Sequence, residues 1–526
     1  MPQRARFGIS CGLTYFHVGG IVTRYASAWG KGRASASAYF VFTDAIAYNA
    51  GMSTADRRLL RILVLYALFL LGVHGIVASL PASWAYFWYP AKLVGTGGRL
   101  SPAEWLWGVY PYTYLARWLQ VALAVVTAAF TLWLGFAQSV DFSLPPFPAR
   151  GRWQALIALL ALPLFWIGRV VHTRWGDAYL LVKGIAHPDV RLMYNWQAPL
   201  DTFMHAWLFR MGEALWGWPD ALPAYWIISS LAGMLAVGVL LRLAQEVGRN
   251  DNERWLLFGM LATLGTMQLF FGYPENYTII SLLMLVFFWL GWRYSQGQHS
   301  LWGPSIVLAL AMGFHPIMLA LQPALWLLAW WGWRRRGQSP GRLLLQLLLP
   351  PLVVGAGVLA LMTAGGHGLA VFLSSEAPGG GDHRWWTPLV QATGKWEYYT
   401  MISRGHFMDI LNQQWLSQPF TLITLTLLVI FFFKKLPREA YSGFLLLAAG
   451  AYLFLIFTWN PDYGGQRDWD LFSTAAWPAT LLMAYWLTRS LSASALLRSG
   501  LIIVASQALY TAAWVFSNTR PWHWPK

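Results

Sequence analysis

Three short polar clusters interrupt an otherwise apolar chain: Arg174-Trp175-Gly176-Asp177-Ala178-Tyr179, Gly272-Tyr273-Pro274-Glu275-Asn276-Tyr277 and Arg467-Asp468-Trp469-Asp470. A carboxylate acts as a general base when ionised, as a hydrogen-bond donor when protonated, and as an oxygen ligand for a hard divalent cation. An arginine beside it supplies a permanent cation whose planar fork matches a phosphate. Asp177, with Glu275, Asp468 and Asp470 as substrate or metal candidates and Arg467 and Arg174 as phosphate-binding candidates, therefore forms the expected site. A magnesium or manganese ion held by Glu275 and the neighbouring aspartates is an expected cofactor.

Each of these residues also has an ordinary alternative role. Asp177 and Asp468 stand where an aspartate caps the helix that follows, accepting its first-turn amides. Glu275 lies in a tight turn set by Pro274 and Asn276, where a solvated carboxylate is common. Arg467 can neutralise Asp468 or Asp470 by simple ion pairing. His315, in Gly313-Phe314-His315-Pro316, marks an expected helix break and reads either as a packing residue or as a polar group at the substrate. Asp382, His383 and Arg384, beside Trp385 and Trp386, read as acceptor contacts or as a surface patch.

The elements that must position these groups follow from composition. With 57% hydrophobic and 11% charged residues and a mean hydropathy of +0.45, the chain has more apolar surface than one soluble core can hide, so the bilayer is its solvent. The net charge of +16 sits mainly in short links between apolar runs, as the positive-inside rule expects, and nucleic acid is excluded as a partner. The lone Cys11 excludes an intrachain disulfide, a CxxC redox pair and a multi-cysteine zinc site. No Walker-type, HExxH or GxSxG motif occurs, so an ATPase, a zincin and an α/β-hydrolase have no motif support.

Thirteen apolar segments approach the ~20 residues that span hydrocarbon. They lie at about 59–79, 117–137, 153–171, 223–243, 255–272, 277–292, 301–316, 317–333, 342–363, 419–433, 441–458, 471–488 and 499–516. The expected fold is thus an all-α polytopic membrane protein with about thirteen transmembrane helices and amphipathic helices in its outer loops. Placing Arg57, Arg58 and Arg61 in the cytoplasm puts the basic links Arg242/Arg249/Arg254, Arg334/Arg335/Arg336 and Lys434/Lys435/Arg438 there too. The polar clusters then share the outer face with loops 172–222 and 364–418. Residues 1–51 hold no spanning segment and read as a disordered leader or a mis-assigned start upstream of Met52-Ser53-Thr54; residues 52–526 read as a single transmembrane domain.

A helix end, then Gly176-Asp177-Ala178-Tyr179, then Pro199-Leu200 opening an aromatic helix, resembles the first outer loop of the C-type glycosyltransferase superfamily. These membrane enzymes take sugars from polyprenyl-phosphate carriers, and they include the protein mannosyltransferase and aminoarabinose transferase groups. The resemblance runs from about 150 to 335 and more loosely to the C-terminus, and the Asp-Glu pair of the O-mannosyltransferase branch is absent because Ala178 follows Asp177. It implies that Asp177 is the catalytic carboxylate and that the donor is a polyprenyl-phosphate-linked sugar bound among membrane lipids. It also implies a glycan, lipid or protein acceptor, in cell-envelope glycosylation at a bacterial inner membrane with the site facing outward. A lipid-linked glycan polymerase or ligase is the nearer alternative. A non-enzymatic flippase or transporter is the more distant one, since it calls for ionisable groups near the bilayer midplane, whereas here polarity gathers at one boundary.

Overall fold

Apolar runs between polar breaks dictate helices, because a backbone in lipid must satisfy its own hydrogen bonds. The computed structural model describes residues 52–79, 106–137, 140, 143–374, 385–394 and 397–521. The expectations for residues 1–51 and for Asp382, His383 and Arg384 lie outside the described residues. What is described is all-helical, without strands.

In chain order the helices are α1 Thr54–Ala78, α2 Arg117–Phe136, α3 Gly151–Ile167, α4 Ala178–Ala186, α5 Pro199–Trp216, α6 Leu222–Val247, α7 Asp251–Ala262, α8 Thr278–Ser295 and α9 Trp302–Phe314. They continue with α10 Gln322–Arg336, α11 Pro340–Ala364, α12 Leu369–Ser374, α13 Arg404–Ser417, α14 Thr421–Phe432, α15 Ala440–Thr458, α16 Trp469–Ser473, α17 Ala476–Ser490 and α18 Ala493–Asn518. Local chemistry sets the ends. Ser53 and Asp56 form a reciprocal capping box that starts α1. Gly217 (φ 65°) and Gly337 (φ 62°) take the left-handed conformation that closes α5 and α10, and Arg334, Arg335 and Arg336 occupy the last turn of α10, where cations favour the helix dipole.

Each of the thirteen apolar segments contains a helix, but the segments are not thirteen equal spans. Among the described residues, seven helices, α1, α2, α6, α8, α11, α15 and α18, are long and apolar enough to cross a membrane, or eight if α13 and the Thr421–Lys435 stretch, bent by 94° at their junction, make one broken span. The others are cut short by identifiable residues. His315-Pro316 ends α9 after 13 residues and opens a 3-10 turn, Pro316–Leu321, before α10, because proline cannot donate the next helical bond. The 255–272 segment splits into α7 and a 3-10 turn at Gly265–Phe270. These shorter pieces gain stability from neighbours: α3 packs on α6, α9 on α8 and α11, and α17 on α15.

The basic links after α6, α8, α10 and α17 meet one another. Arg293 pairs with Glu246 at 3.5 Å, Arg489 donates to the Val247 carbonyl at 2.8 Å and lies 3.4 Å from Glu253, and Arg336 donates to the Ser295 carbonyl. If this cationic end is cytoplasmic, cysteines placed at exposed Asp189 and Ser339 in a Cys11→Ser background react differently with an impermeant maleimide. Position 189 is expected to label in intact cells and position 339 only after lysis. The reverse pattern would invert the orientation.

Candidate active site

The three polar clusters converge although nearly 300 residues separate their ends. After α3 the chain passes through Val170, whose amide donates to the Phe271 carbonyl at 2.8 Å, and reaches Trp175, whose indole donates to Asn518 at 2.7 Å. Gly176 then turns with φ 46°, and its amide donates to the Arg467 carbonyl at 2.9 Å. A Cβ at this glycine would lie 2.6 Å from Glu275 Oε1 and 3.2 Å from Asp470 Oδ2. Glycine is thus required twice, for the left-handed backbone and for the close approach of both carboxyl groups.

Asp177 occupies the position before α4, but its side chain makes no capping bond. Instead Oδ1 accepts from the Tyr463 hydroxyl at 2.8 Å, and Gln197 also hydrogen-bonds to the carboxylate. Asp468 likewise stands at the start of α16 without capping it, and Oδ2 accepts the Tyr463 amide at 2.8 Å. The cap reading therefore fails for both side chains. Tyr463 is the hinge: its backbone fixes Asp468 and its hydroxyl fixes Asp177.

Glu275 is no solvated turn residue, being only 3% exposed. Its Oε2 accepts the Asn276 amide at 3.3 Å, while Oε1 is buried without a hydrogen-bond partner. The turn that carries it is tied down by Ser229, which donates to the Tyr273 carbonyl at 3.1 Å, and by Thr278, which donates to the Leu269 carbonyl at 2.8 Å. Asp470, 2% exposed, accepts from the Tyr273 hydroxyl at 3.0 Å and from the Leu471 amide at 2.9 Å.

Burial drives the protonation of these groups, since leaving water penalises the charged form. Desolvation, reinforced by the charges of Asp470 and Asp177, pushes Glu275 well above the usual carboxylate range. Asp468 is pushed well above it, again chiefly by burial, and Asp470 is raised for the same reason. Asp177 is raised by burial too, but the hydrogen bonds from Tyr463 and Gln197 and the charge of Arg467 oppose the shift. Burial thus raises all four carboxyl groups, and at Asp177 the hydrogen bonds from Tyr463 and Gln197, with the Arg467 charge behind them, work against that rise.

Asp177, Glu275, Asp468 and Asp470 line one cavity of about 540 Å³ together with Gln197, Tyr277, His315, Asn460, Asp462 and Tyr463. His315 sits at the α9 break as expected. Its Nδ1 accepts the Ile317 amide at 3.2 Å, and its ring lies 5.2 Å from that of Tyr277. The rest of the lining is largely apolar, from Pro316, Ile317, Leu319, Ala320, Pro323, Ala451, Phe454 and Leu455. Trp385, Trp386 and Trp459 also line it, and their segments are tied together by the Thr387 amide on the Thr458 carbonyl at 2.8 Å and the Asn460 amide on the Trp385 carbonyl at 3.0 Å.

The arginines are placed differently from the expectation. Neither lines the cavity. Arg467 lies behind Tyr463, its guanidinium 4.6 Å from the ring centre. Arg174, buried, lies 4.5 Å over the Trp175 ring and interacts with Tyr114, so it braces the wall. Among the described residues, no group of three or more His, Cys, Asp or Glu side chains is arranged to hold a metal ion. The residues sequence reasoning passed over are Tyr463, Gln197 and Tyr273. They lay inside or beside the polar clusters, but their partners are remote in the chain.

A carboxyl group whose folded-state value is raised binds more protons than its unfolded counterpart between the two values, so stability falls as pH rises through that window. The window opens near the unfolded value of about 4.3 for glutamate. Thermal unfolding of the purified protein in nanodiscs is therefore expected to show a smaller loss of Tm between pH 5 and pH 8 for Glu275→Gln than for the wild type. Equal losses would mean that Glu275 folds without a proton cost.

Compared with protein-family models, curated proteins and solved structures, the chain matches none, so any assignment of chemistry rests on the site itself.

Proposed function

We propose that this membrane protein is a glycosyltransferase that moves a sugar from a polyprenyl-phosphate donor to an acceptor on the extracytoplasmic face. The observation that carries the reading is the mixed lining of one cavity, which holds carboxyl groups, with Asp177 bound to Tyr463 at 2.8 Å, together with apolar side chains that are partly exposed at the surface of the protein. Leu319 is 57% and Phe454 60% exposed. Exposed apolar side chains on a membrane helix are solvated by lipid tails, so an isoprenoid chain can lie along them while its head group sits at the carboxyl groups. The volume of about 540 Å³ is within the range of small-molecule sites.

In this reading Asp177 takes the proton of the acceptor hydroxyl as its oxygen bonds to the anomeric carbon. The bond from that carbon to the phosphate oxygen breaks, and the phosphate leaves with the electron pair. Tyr463 and Gln197 orient the base, which raises the fraction of encounters with productive geometry. Glu275, raised well above the usual carboxylate range by burial, sets less charge against Asp177 than an exposed carboxylate would. Arg467 acts on the phosphate only if its guanidinium turns from the Tyr463 ring toward the cavity, and otherwise acts through its field on Asp177. No step is assigned to a metal.

The test is release of polyprenyl phosphate, read by mass spectrometry, when the protein in nanodiscs meets a panel of polyprenyl-phosphate sugars and acceptors. Asp177→Asn is expected to lower turnover roughly 100-fold to 10,000-fold, the range for loss of a general base, with donor binding retained. Arg467→Ala is expected to weaken donor binding as well, with Arg467→Lys rescuing in part because it keeps charge and loses the fork. Near-wild-type turnover by Asp177→Asn would remove the base assignment. Saturable binding of the donors without any release would favour lipid transport.

A further inference from the structure

Asp409, on α13, is remote in sequence from every cluster described above and does not line the cavity, yet it grips the loop on which the site depends. Its Oδ2 accepts the Gly465 amide at 3.0 Å, its Oδ1 accepts the Trp107 indole at 2.9 Å, and Tyr399 is a further hydrogen-bond partner. Gly464 beside it has φ 80°, a left-handed conformation that favours glycine. A Cβ on Gly465 would come within 2.7 Å of both Cγ and Oδ2 of Asp409, so the loop backbone is pressed directly on this carboxylate. The same helix holds the Trp107 segment a second time, where the Gly108 amide donates to Asn412 at 2.8 Å.

From that anchor the loop winds straight to the base. The amides of Arg467 and Asp468 both donate to the Gly464 carbonyl at 3.1 Å. Asp468 holds the Tyr463 amide, and the Tyr463 hydroxyl holds Asp177. We propose that Asp409 is a positioning residue for the site: by fixing the Gly464–Gly465 bend it sets the reach of Tyr463 to Asp177. An amide cannot replace it cleanly, because all the groups that meet it are donors and one end of an asparagine would present further donors to them.

The proposal concerns the geometry at Asp177 and not the identity of the substrate, so its failure and that of the transferase reading are separable. Its readout is the reactivity of Asp177 toward dicyclohexylcarbodiimide, which modifies protonated carboxyl groups, followed by peptide mass spectrometry on the full chain in nanodiscs across pH. The groups that set this titration are Tyr463, Gln197 and Arg467, with the carboxyl groups of Glu275, Asp468 and Asp470, on all of which Asp177 acts electrostatically.

The sign of the shift discriminates. Tyr463 favours the ionised form of Asp177, so losing that bond raises the labelling midpoint, whereas merely deleting the negative charge of Asp409 lowers it. Asp409→Asn is expected to raise the midpoint by about one pH unit, roughly tenfold in labelling rate above both midpoints, as Tyr463→Phe does. The double variant is expected to go no further than Tyr463→Phe alone. A Tm close to that of the wild type in nanodiscs reports an intact fold. Should Asp409→Asn not fold, Gly465→Ala disturbs the same contact from the loop side and carries the same expectation. An unchanged or lowered midpoint in the folded variant, with Tyr463→Phe raising it, overturns the proposal, as does a Tyr463→Phe that leaves Asp177 unaffected.

Discussion

Removing carboxyl groups from water beside a bilayer is the constraint on which the rest of this structure depends. Glu275, Asp468 and Asp470 are each more than nine-tenths buried, and an ionised carboxylate without compensation is far too costly in such a setting. Burial shifts these groups toward their neutral forms, and the chain brings hydrogen-bond donors to them from distant segments. The Tyr273 hydroxyl meets Asp470, the Tyr463 amide meets Asp468, and the Tyr463 hydroxyl meets Asp177. A hydrogen bond contributes about 0.5–1.5 kcal/mol net, and leaving its buried partner unpaired costs about 1–3 kcal/mol, so each of these contacts helps to hold a loop in place. The folding of the loops and the tuning of the site are thus one problem.

The helices solve it by ending where they do. α3 stops at Gly168 and lets the chain cross to Gly176; α9 stops at His315-Pro316 and opens the apolar part of the lining; α15 stops at Trp459 and yields the loop that carries Tyr463. A longer α9 would fill the space between Tyr277 and Ile317 with helix. The cavity is therefore a product of short helices, and the long ones, α1, α6 and α18 among them, supply the frame in the membrane. The same space is lined by hydrogen-bonding groups and by apolar side chains such as Leu319 and Phe454, a combination that suits the proposed lipid with a polar head.

Part of this was legible in the sequence, and the division has a physical cause. Hydropathy located the helices because lipid demands continuous apolar runs. It did not separate full spans from the shorter α3, α7, α9, α10, α14 and α17, since the breaks come from single residues such as Pro316 whose effect depends on what packs beside them. Asp177 stood out through the order of a helix end, Gly176-Asp177-Ala178-Tyr179 and Pro199-Leu200, whereas taken alone it reads as a helix cap; Gly176 proved to need both its φ of 46° and its missing side chain. Tyr463 did not stand out. Its partner lies 286 residues away, as Trp107 lies 302 residues from Asp409, and no local pattern encodes such a pairing. Arg467 was placed in the right loop but not on the cavity surface, because sequence gives the order of residues along a bend and not which side of it faces inward.

Mass spectrometry of lipid-linked sugars in cells lacking this protein tests the central claim most directly, because it needs no prior choice of donor. The account predicts that a polyprenyl-phosphate sugar accumulates, that the wild-type chain restores its normal level, and that a stably inserted Asp177→Asn chain does not. An unchanged pool of lipid-linked sugars, or full restoration by Asp177→Asn, would contradict it.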